Sequence, residues 1–440
     1  MILRDTMTHY DFLVVGGGIA GISIAELLQR SGKKVLLLEA KDSLFSDASS
    51  QQQSWLHTGA LYAPYPSSKY FKTLVRNIDN IVNYYGGFEN MNLRYGSGLN
   101  RSRLEGWFTN ETINYFYTSP LSKRIPVMHK PLWALASLLA KSRFAWLEGI
   151  DRARAIGPQI GLMNASIRFG HTEPYSTFKL DFGKVGCVLA SQDTTLRAEK
   201  IAEDLVRSFV TKKGVIKLAS PVDKIEKQSV VTKDGSRYEA EHIIVAAGQG
   251  TTGLSKVKTN TLKSPLLVVK PALSNTSWIN VVLPTSNIIN HIRHEVKDGD
   301  YSVFGNNYRY GLDEILDEEE IRTDMIRKIE KIYRCKIDPN RAHLYFGYKT
   351  EWPKGNGFWD QLLDFLRLPN PSEMRNYFYG YQEGENCLVV LPGKLTLSFS
   401  LAVSVCEHYG VVPSTHVEID ETIPIVPISA TRHRAAAGNI

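Results

Sequence analysis

The stretch that decides the fold is Tyr10–Ala40, YDFLVVGGGIAGISIAELLQRSGKKVLLLEA. Its apolar run Phe12 to Val15 suits a strand buried on both faces, and Ile19, Ile22, Ala25, Leu27 and Leu28 suit a helix packed on a sheet. The expected elements are a strand over 11–15, a helix over 19–31 that Gly32 stops, and a second strand over 34–39. Between the first two, the glycines fall as G-x-G-x-x-G at Gly16, Gly18 and Gly21. Gly16 permits a sharp turn, Gly18 lets the backbone approach a pyrophosphate, and Gly21 lets the helix sit close to the strand. The helix N-terminus supplies free N–H groups and a positive dipole for phosphates. Glu39, at the end of the second strand, can accept hydrogen bonds from ribose hydroxyls. Its charge disfavours a 2′-phosphate, so the motif predicts a dinucleotide other than NADP and leaves NAD and FAD open.

The chain then returns to this unit twice. Residues 193–213 have helical spacing at Leu196, Ile201, Leu205 and Phe209, with Gly214 as a stop. Strand-like runs follow at Val215 to Leu218, Val222 to Ile225 and Val230 to Thr232, with Asp234-Gly235 as a turn. They lead into HIIVAAGQG (242–250), where Ala247 and Gly248 allow close backbone approach. The second return is at Leu388 to Leu391, followed by Pro392-Gly393-Lys394 and a helix whose N-terminal amides could face a bound ring.

With these stretches in place, the sequence resembles the D-amino-acid oxidase superfamily of FAD-dependent oxidoreductases. The matching segments are VVGGGIAGISIAELLQRSGKKVLLLEA, ASSQQQSWLHTGALY, DTTLRAEKIAEDL, GVIKLASPVDKIEK, IIVAAGQG and LPGKLTLSFSLA, which span nearly the whole chain. The second and last look most like the glycerol-3-phosphate and L-2-hydroxyglutarate dehydrogenase branches, where a Ser-rich run leads to His-x-Gly and a late Gly-Lys-Leu-Thr closes the flavin site. The resemblance implies FAD as the cofactor and an α/β, two-lobed flavoprotein. A discontinuous Rossmann-like FAD domain would comprise 8–70, 186–254 and 386–418; an antiparallel-sheet substrate lobe would comprise 71–185 and 255–385, leaving a C-terminal tail at 419–440. By position, Gly16, Gly18, Gly21 and Glu39 would hold the ADP half, and Ser49, Ser50 and Gln51 would follow the pyrophosphate and flavin. Val222 would meet the adenine side, and Ala247, Gly248, Gly393, Lys394, Leu395 and Thr396 would complete the site. Gln51 to Gln53 depart from the commoner basic or Asn residues.

The resemblance also implies removal of a proton from an O–H or N–H group while hydride leaves the adjacent carbon for flavin N5. The cofactor supplies the redox chemistry and the protein supplies a base. Histidine suits that role because its ordinary pKa is near 6.5, which makes His57, His294 and His291 the candidates. Tyr62 and Lys349 are the candidate substrate-binding residues, Lys349 lying in YFGYKTEW near the position of a relative's arginine. A lysine there offers a point charge rather than a planar fork. The expected reaction is oxidation of a CH–OH group in a small anionic metabolite. Amine or amino-acid oxidation is the alternative, and action on a nucleic acid or carrier-bound substrate, or flavin binding without catalysis, are the readings from other classes.

Composition bounds the rest. The 440 residues are 43% apolar and 22% charged, which suits a globular chain ordered throughout except for its last few residues. The formal charge of +7 is compatible with an anionic substrate or surface. No Lys/Arg run with interleaved aromatics signals nucleic acid. Cys187, Cys335, Cys387 and Cys406 form no C-x-x-C pair, so neither a disulfide framework nor a metal site is expected. The N-terminus lacks a secretory pattern, and no apolar run is long enough to span a bilayer, so a cytoplasmic location is expected, with peripheral membrane contact open. Oxygen or a quinone would be the electron acceptor. Two aromatic stretches, RNYFYGYQ (375–382) and GNGFWDQLLDFLRLP (355–369), are candidates for a pocket roof and an amphipathic helix.

Overall fold

In the computed structural model the described residues are 9–59, 68–95, 99–101, 105–118, 159–163, 166–170, 177–181, 186–282, 288–296, 299–306, 308–353 and 379–440. Tyr62 and most of the two aromatic stretches lie outside them.

The N-terminal signature folds as strand Tyr10–Val15, helix Ile19–Arg30 and strand Val35–Leu38. Both strands are almost wholly buried, as continuous apolar runs in a covered parallel sheet must be. Tyr10–Val15 is central: it pairs in parallel with Val35–Leu38 on one side and with Arg237–Val245 on the other. Val215–Lys217 extends the sheet beyond Val35–Leu38, and Cys387–Leu391 lies parallel to Arg237–Val245. Three distant parts of the chain thus build one nucleotide sheet. An antiparallel hairpin, Val222–Glu226 with Ser229–Thr232, attaches along the other end of Arg237–Val245. Helices Ile19–Arg30, Ala198–Thr211 and Leu397–His408 cover one face and share a core with Phe12, Val14, Leu37 and Ile244.

The helix expected over 193–213 begins only at Ala198, because Thr194–Thr195 is taken up as a short strand against Trp55–Leu56. That pairing ties the polar segment after the signature to the first return of the chain.

A second, nine-stranded sheet forms the other lobe. Its order runs from Tyr310–Gly311 through Asn260–Val269, Tyr301–Asn306, Ile288–His294, Ser277–Val282, Ile113–Thr118 and Gly186–Ala190 to Gln159–Met163, with Ala342–Glu351 paired to Asn260–Val269. The pairing is antiparallel except between Ser277–Val282 and Ile113–Thr118. Helix Glu318–Tyr333 buries Met325, Ile329, Ile332 and Tyr333 on one face of this sheet and turns its charges outward. Asp317 caps it by accepting from Glu320 N at 2.9 Å, and Glu318 to Glu320 sit in its first turn, where the dipole favours them.

Two strands fall outside the expected lobe boundaries. Gly186–Ala190 belongs to the large sheet, whereas Gly380–Gly384 pairs with Cys387–Leu391 in the nucleotide sheet. The C-terminal residues also differ from a loose tail: Arg432–Gly438 is helical, and Ala436 and Ala437 are buried against Val268, Tyr301 and Val303. No described helix is long and apolar enough to cross a membrane.

Candidate active site

The glycine turn is built on contact. Gly16 has φ +111°, and a Cβ there would lie 2.5 Å from Ala246 O, so the Ala246–Gly248 return presses against the turn. A Cβ on Gly21 would lie 1.9 Å from Gly16 O, the close approach of helix to strand that the motif predicts. At Gly18, among the described residues, an added Cβ would meet only the Ser49 hydroxyl, at 3.1 Å. That hydroxyl accepts from Ile19 N at 2.9 Å, so Ser49 sits on the first turn of the helix. Glu39 accepts from Gly17 N at 2.6 Å and from Lys41 N at 2.8 Å, which fixes the carboxylate at the mouth of the turn. Ser220 N donates to Glu39 O at 2.8 Å and brings the start of the Val222 hairpin alongside. Ser50 is buried, its hydroxyl donating to Asp47 O at 2.9 Å.

Past Ser50 the chain crosses the large sheet. A Cβ on Gly347 would meet Gln51 O at 2.7 Å, and one on Gly305 would meet Gln53 Nε2 at 2.6 Å; these two glycines admit the crossing. Gln53 donates to Asn290 Oδ1 at 2.7 Å. Gln52 folds onto Ser54, donating from Nε2 to Ser54 Oγ at 2.9 Å while its Oε1 accepts from Ser54 N. Of the three glutamines, Gln53 seats the segment on the large sheet, Gln52 braces Ser54 within the segment, and Gln51 meets the sheet through its backbone.

The segment ends at His57, which is 5% exposed. Its Nε2 is 3.1 Å from Lys394 Nζ, and its Nδ1 is 3.9 Å from Asp193 Oδ2. Asp193 is fully buried and accepts from Thr58 N at 2.8 Å, from Thr58 Oγ1 at 2.5 Å, and from Tyr115 Oη. The Trp55 ring packs 4.4 Å from the His57 ring, with Lys394 Nζ 5.9 Å from the indole centroid. From the large sheet, Lys349 pairs with Glu351, which is 2% exposed, and reaches the same cluster through its field.

Charge and burial tune these groups. Burial, then the Lys394 and Lys349 ammonium groups, holds His57 well below its ordinary pKa. Burial, then Lys349, pulls Lys394 down to about 7 against the opposing pull of Asp193, while Arg309 adds to the lowering. Burial raises the Asp193 pKa, and its hydrogen bonds from Thr58 and Tyr115 work the other way. When Lys394 is an ammonium it can only donate to Nε2, and His57 then carries its proton on Nδ1, on the side of Asp193.

The structure thus brings together His57, Lys394 and Lys349, and adds Asp193, which sequence reasoning missed. It does not bring in the other two histidines. His291 and His294 lie on opposite faces of one strand, as the two-residue period requires. His291 faces helix Glu318–Tyr333, with Nε2 2.7 Å from Ser302 Oγ and Nδ1 3.1 Å from Tyr333 Oη, and burial lowers it to about 3. Both nitrogens are satisfied in a packed core, which corrects its candidacy as a base. His294, on the other face, stacks on Tyr301 and His433 at 5.2 and 4.3 Å and meets the backbone of Gln53. Its pKa is held well below the ordinary value by burial, then by His433.

Against known proteins, the model for the FAD dependent oxidoreductase family of D-amino-acid oxidase type matches residues 11–381. The chain belongs to this family. The flavoenzyme's fold recurs in solved structures at low identity. Glycine oxidase from Geobacillus kaustophilus superposes with a TM-score of 0.59 at 14% identity, covering 97% of this chain and 99% of that one. L-Proline dehydrogenase from P. horikoshii gives 0.60 at 11%, with 92% and 95% covered. L-α-Glycerophosphate oxidase from Mycoplasma pneumoniae, with FAD bound, gives 0.58 at 16%, with 96% and 100% covered. No curated protein sequence matches the chain.

The flavoenzyme's residues fit its FAD cofactor. Thr396, the residue that opens helix Leu397–His408, makes no capping hydrogen bond with its side chain. Thr396 Oγ1, Gln51 Oε1 and His57 Nδ1 are buried polar atoms that have no hydrogen-bond partner among the described residues. Such groups are costly unless a ligand or water meets them.

Proposed function

We propose that this FAD-dependent oxidoreductase oxidises a CH–OH group of a small anionic metabolite at the cluster around His57 and Lys394. When bound, FAD supplies the hydride acceptor at N5. In this reading Gly16, Gly18, Gly21 and Glu39 hold the ADP half, Ser49, Ser50 and Gln51 line its continuation, and Ala247, Gly248 and Gly393 to Thr396 close the site. Val222 borders the adenine end.

The observation behind the substrate class is the charge of the cluster. Lys394, Lys349 and Arg309 act together on one buried site, and each lysine lowers the pKa of His57. With Lys394 protonated, the three cations face two carboxylates, Asp193 and Glu351, so an anion entering the site in that state relieves repulsion. Lysine point charges accept a carboxylate or phosphate without demanding a planar fork.

The proton task falls to Lys394 with His57. At a pKa of about 7 the Lys394 amine is half neutral near pH 7, so Nζ can accept the proton of a substrate hydroxyl. His57 Nε2, 3.1 Å away, steadies the resulting ammonium, and Asp193 behind Nδ1 compensates the charge. Trp55 covers the pair and limits water.

Amine oxidation is the second reading, favoured by the two buried carboxylates in the same cluster, which would attract a cationic amine. Anaerobic bleaching of the flavin by a panel of hydroxy acids, polyol phosphates and amino acids separates the two. Bleaching by hydroxy acids or polyol phosphates supports the first reading, and bleaching by amino acids alone overturns it.

A further inference from the structure

The C-terminal segment, beyond the residues matched to the family, occupies the joint between the two lobes. Pro427 O and Ser429 N bracket Leu44, each in a 2.9 Å hydrogen bond, and Ile428 bridges Leu44 in parallel. Glu199 accepts from Thr431 N at 2.5 Å and from Arg434 at 2.6 Å, tying the segment to helix Ala198–Thr211. The backbone N of Arg432 donates to Ser50 O at 2.7 Å. On the other side, Lys270 Nζ donates to Ala437 O at 3.0 Å.

At the centre is His433, 4% exposed. Its Nε2 lies 3.1 Å from Ser54 Oγ and its Nδ1 2.8 Å from Tyr301 Oη, with the ring stacked on His294. One imidazole thus joins the polar segment of the nucleotide lobe to the large sheet. Ser54 is the point where that segment turns: its φ is +58°, a left-handed conformation that a serine holds only when its surroundings fix it. The fixing bonds come from Gln52, from Leu196 N, which donates to Ser54 O at 2.9 Å, and from His433.

We propose that His433 is a positioning residue for the redox site: through Ser54 it sets the course of residues 49–57, which carry Ser49 and Ser50 at one end and His57 at the other. The inference rests on the reading that this segment lines the cofactor. The C-terminal helix is then a working part of the site.

The test uses holoenzyme and follows flavin release on dilution by fluorescence, together with the visible spectrum and the urea midpoint. His433→Ala is expected to release FAD at least tenfold faster and to shift the flavin absorption band. A glutamine amide can reach the place of Nε2 and an asparagine amide that of Nδ1. His433→Gln should therefore restore slow release, and His433→Asn, which keeps only the Tyr301 contact, should not. Ser54→Ala should reproduce the fast release and add nothing to His433→Ala, and Arg432→Ala should behave as wild type. If His433→Ala fails to fold, Ser54→Ala decides. Release within twofold of wild type in His433→Ala or, failing that variant, in Ser54→Ala, or equal behaviour of the Gln and Asn variants, overturns the inference and leaves the site reading standing. Wild-type protein that retains no FAD overturns the site reading itself.

Discussion

Lys394 Nζ stands 3.1 Å from His57 Nε2, although the two residues are 337 positions apart. One arrives at the end of the segment that follows the glycine turn, the other at the last return of the chain to the nucleotide sheet. Their meeting makes the lysine's proton the variable one, because His57 is held neutral well past the range in which Lys394 titrates.

Activity is therefore expected to rise as pH increases through about 7, following loss of the Lys394 proton. Lys394→Met should lower kcat by about 100-fold or more and remove this limb, within the range usual for a lost general base. Lys394→Arg keeps the charge but holds its proton, so it should be as slow as Lys394→Met. Rate against pH, with flavin content read from absorbance, decides. An unchanged limb in either variant sinks the assignment.

Gly18 and Gly21 separate binding from folding. A methyl group at Gly21 would collide with Gly16 O, so Gly21→Ala should cost about 1–3 kcal/mol of stability, the usual range for overpacking. At Gly18 the described residues leave room except for the Ser49 hydroxyl, so Gly18→Ala should fold nearly as well as wild type but retain FAD at least tenfold less tightly, about 1.4 kcal/mol. Urea midpoints and flavin release measure the two effects. Equal loss of stability in both variants would contradict the distinction.

The nucleotide half was legible because its signal is local. Gly16, Gly18, Gly21 and Glu39 lie within one strand-turn-helix-strand unit, and the two later returns end in small residues that mark close approach. The cluster around His57 was legible only in part. Asp193 sits in an ordinary polar stretch, and its role comes from Thr58, just past Trp55–Leu56, and from Tyr115 on Ile113–Thr118. His433 has no periodic neighbour to distinguish it from a polar tail, and its partners Ser54 and Tyr301 are contributed by both lobes. The choice between His291 and His294 depended on register: three residues apart on a strand, they face opposite ways, and only the pairing with Tyr301–Asn306 tells which face meets helix Glu318–Tyr333. Gln53 was not readable for a related reason, since its partner Asn290 and the space at Gly305 lie across the sheet.

A buried ion pair holds the first helix in place. Arg30 Nε lies 2.6 Å from Glu26 Oε1, both side chains are wholly buried, and Ser208 Oγ donates to the same oxygen at 2.6 Å. Arg30 also donates to Tyr84 O at 3.1 Å and to Ser414 O. Arg30→Ala leaves a buried carboxylate without its cation and should cost about 3–5 kcal/mol. Replacing both residues with Arg30→Met and Glu26→Leu should cost less than the single change. A double replacement worse than Arg30→Ala would show that the network itself, rather than the uncompensated charge, sets the loss.

Glu111 should make stability depend on pH. Its Oε1 accepts from Ser277 N at 2.6 Å, while Oε2 is buried with no hydrogen-bond partner among the described residues. Burial pushes its pKa up to about 7; the Ser277 bond and Arg293 pull it down, and Glu295 pushes it further up. A carboxyl whose folded pKa exceeds its unfolded value near 4.5 binds more protons when folded, so its contribution is present below about pH 4.5 and is lost as pH rises through about 7. The full shift corresponds to about 3 kcal/mol as an upper bound. Glu111→Gln removes the titration, so its stability relative to wild type should improve from pH 4.5 to pH 8 by up to that amount. Urea midpoints at the two pH values check this, and parallel pH dependence in the two proteins would mean that Glu111 is ionised in the folded state throughout.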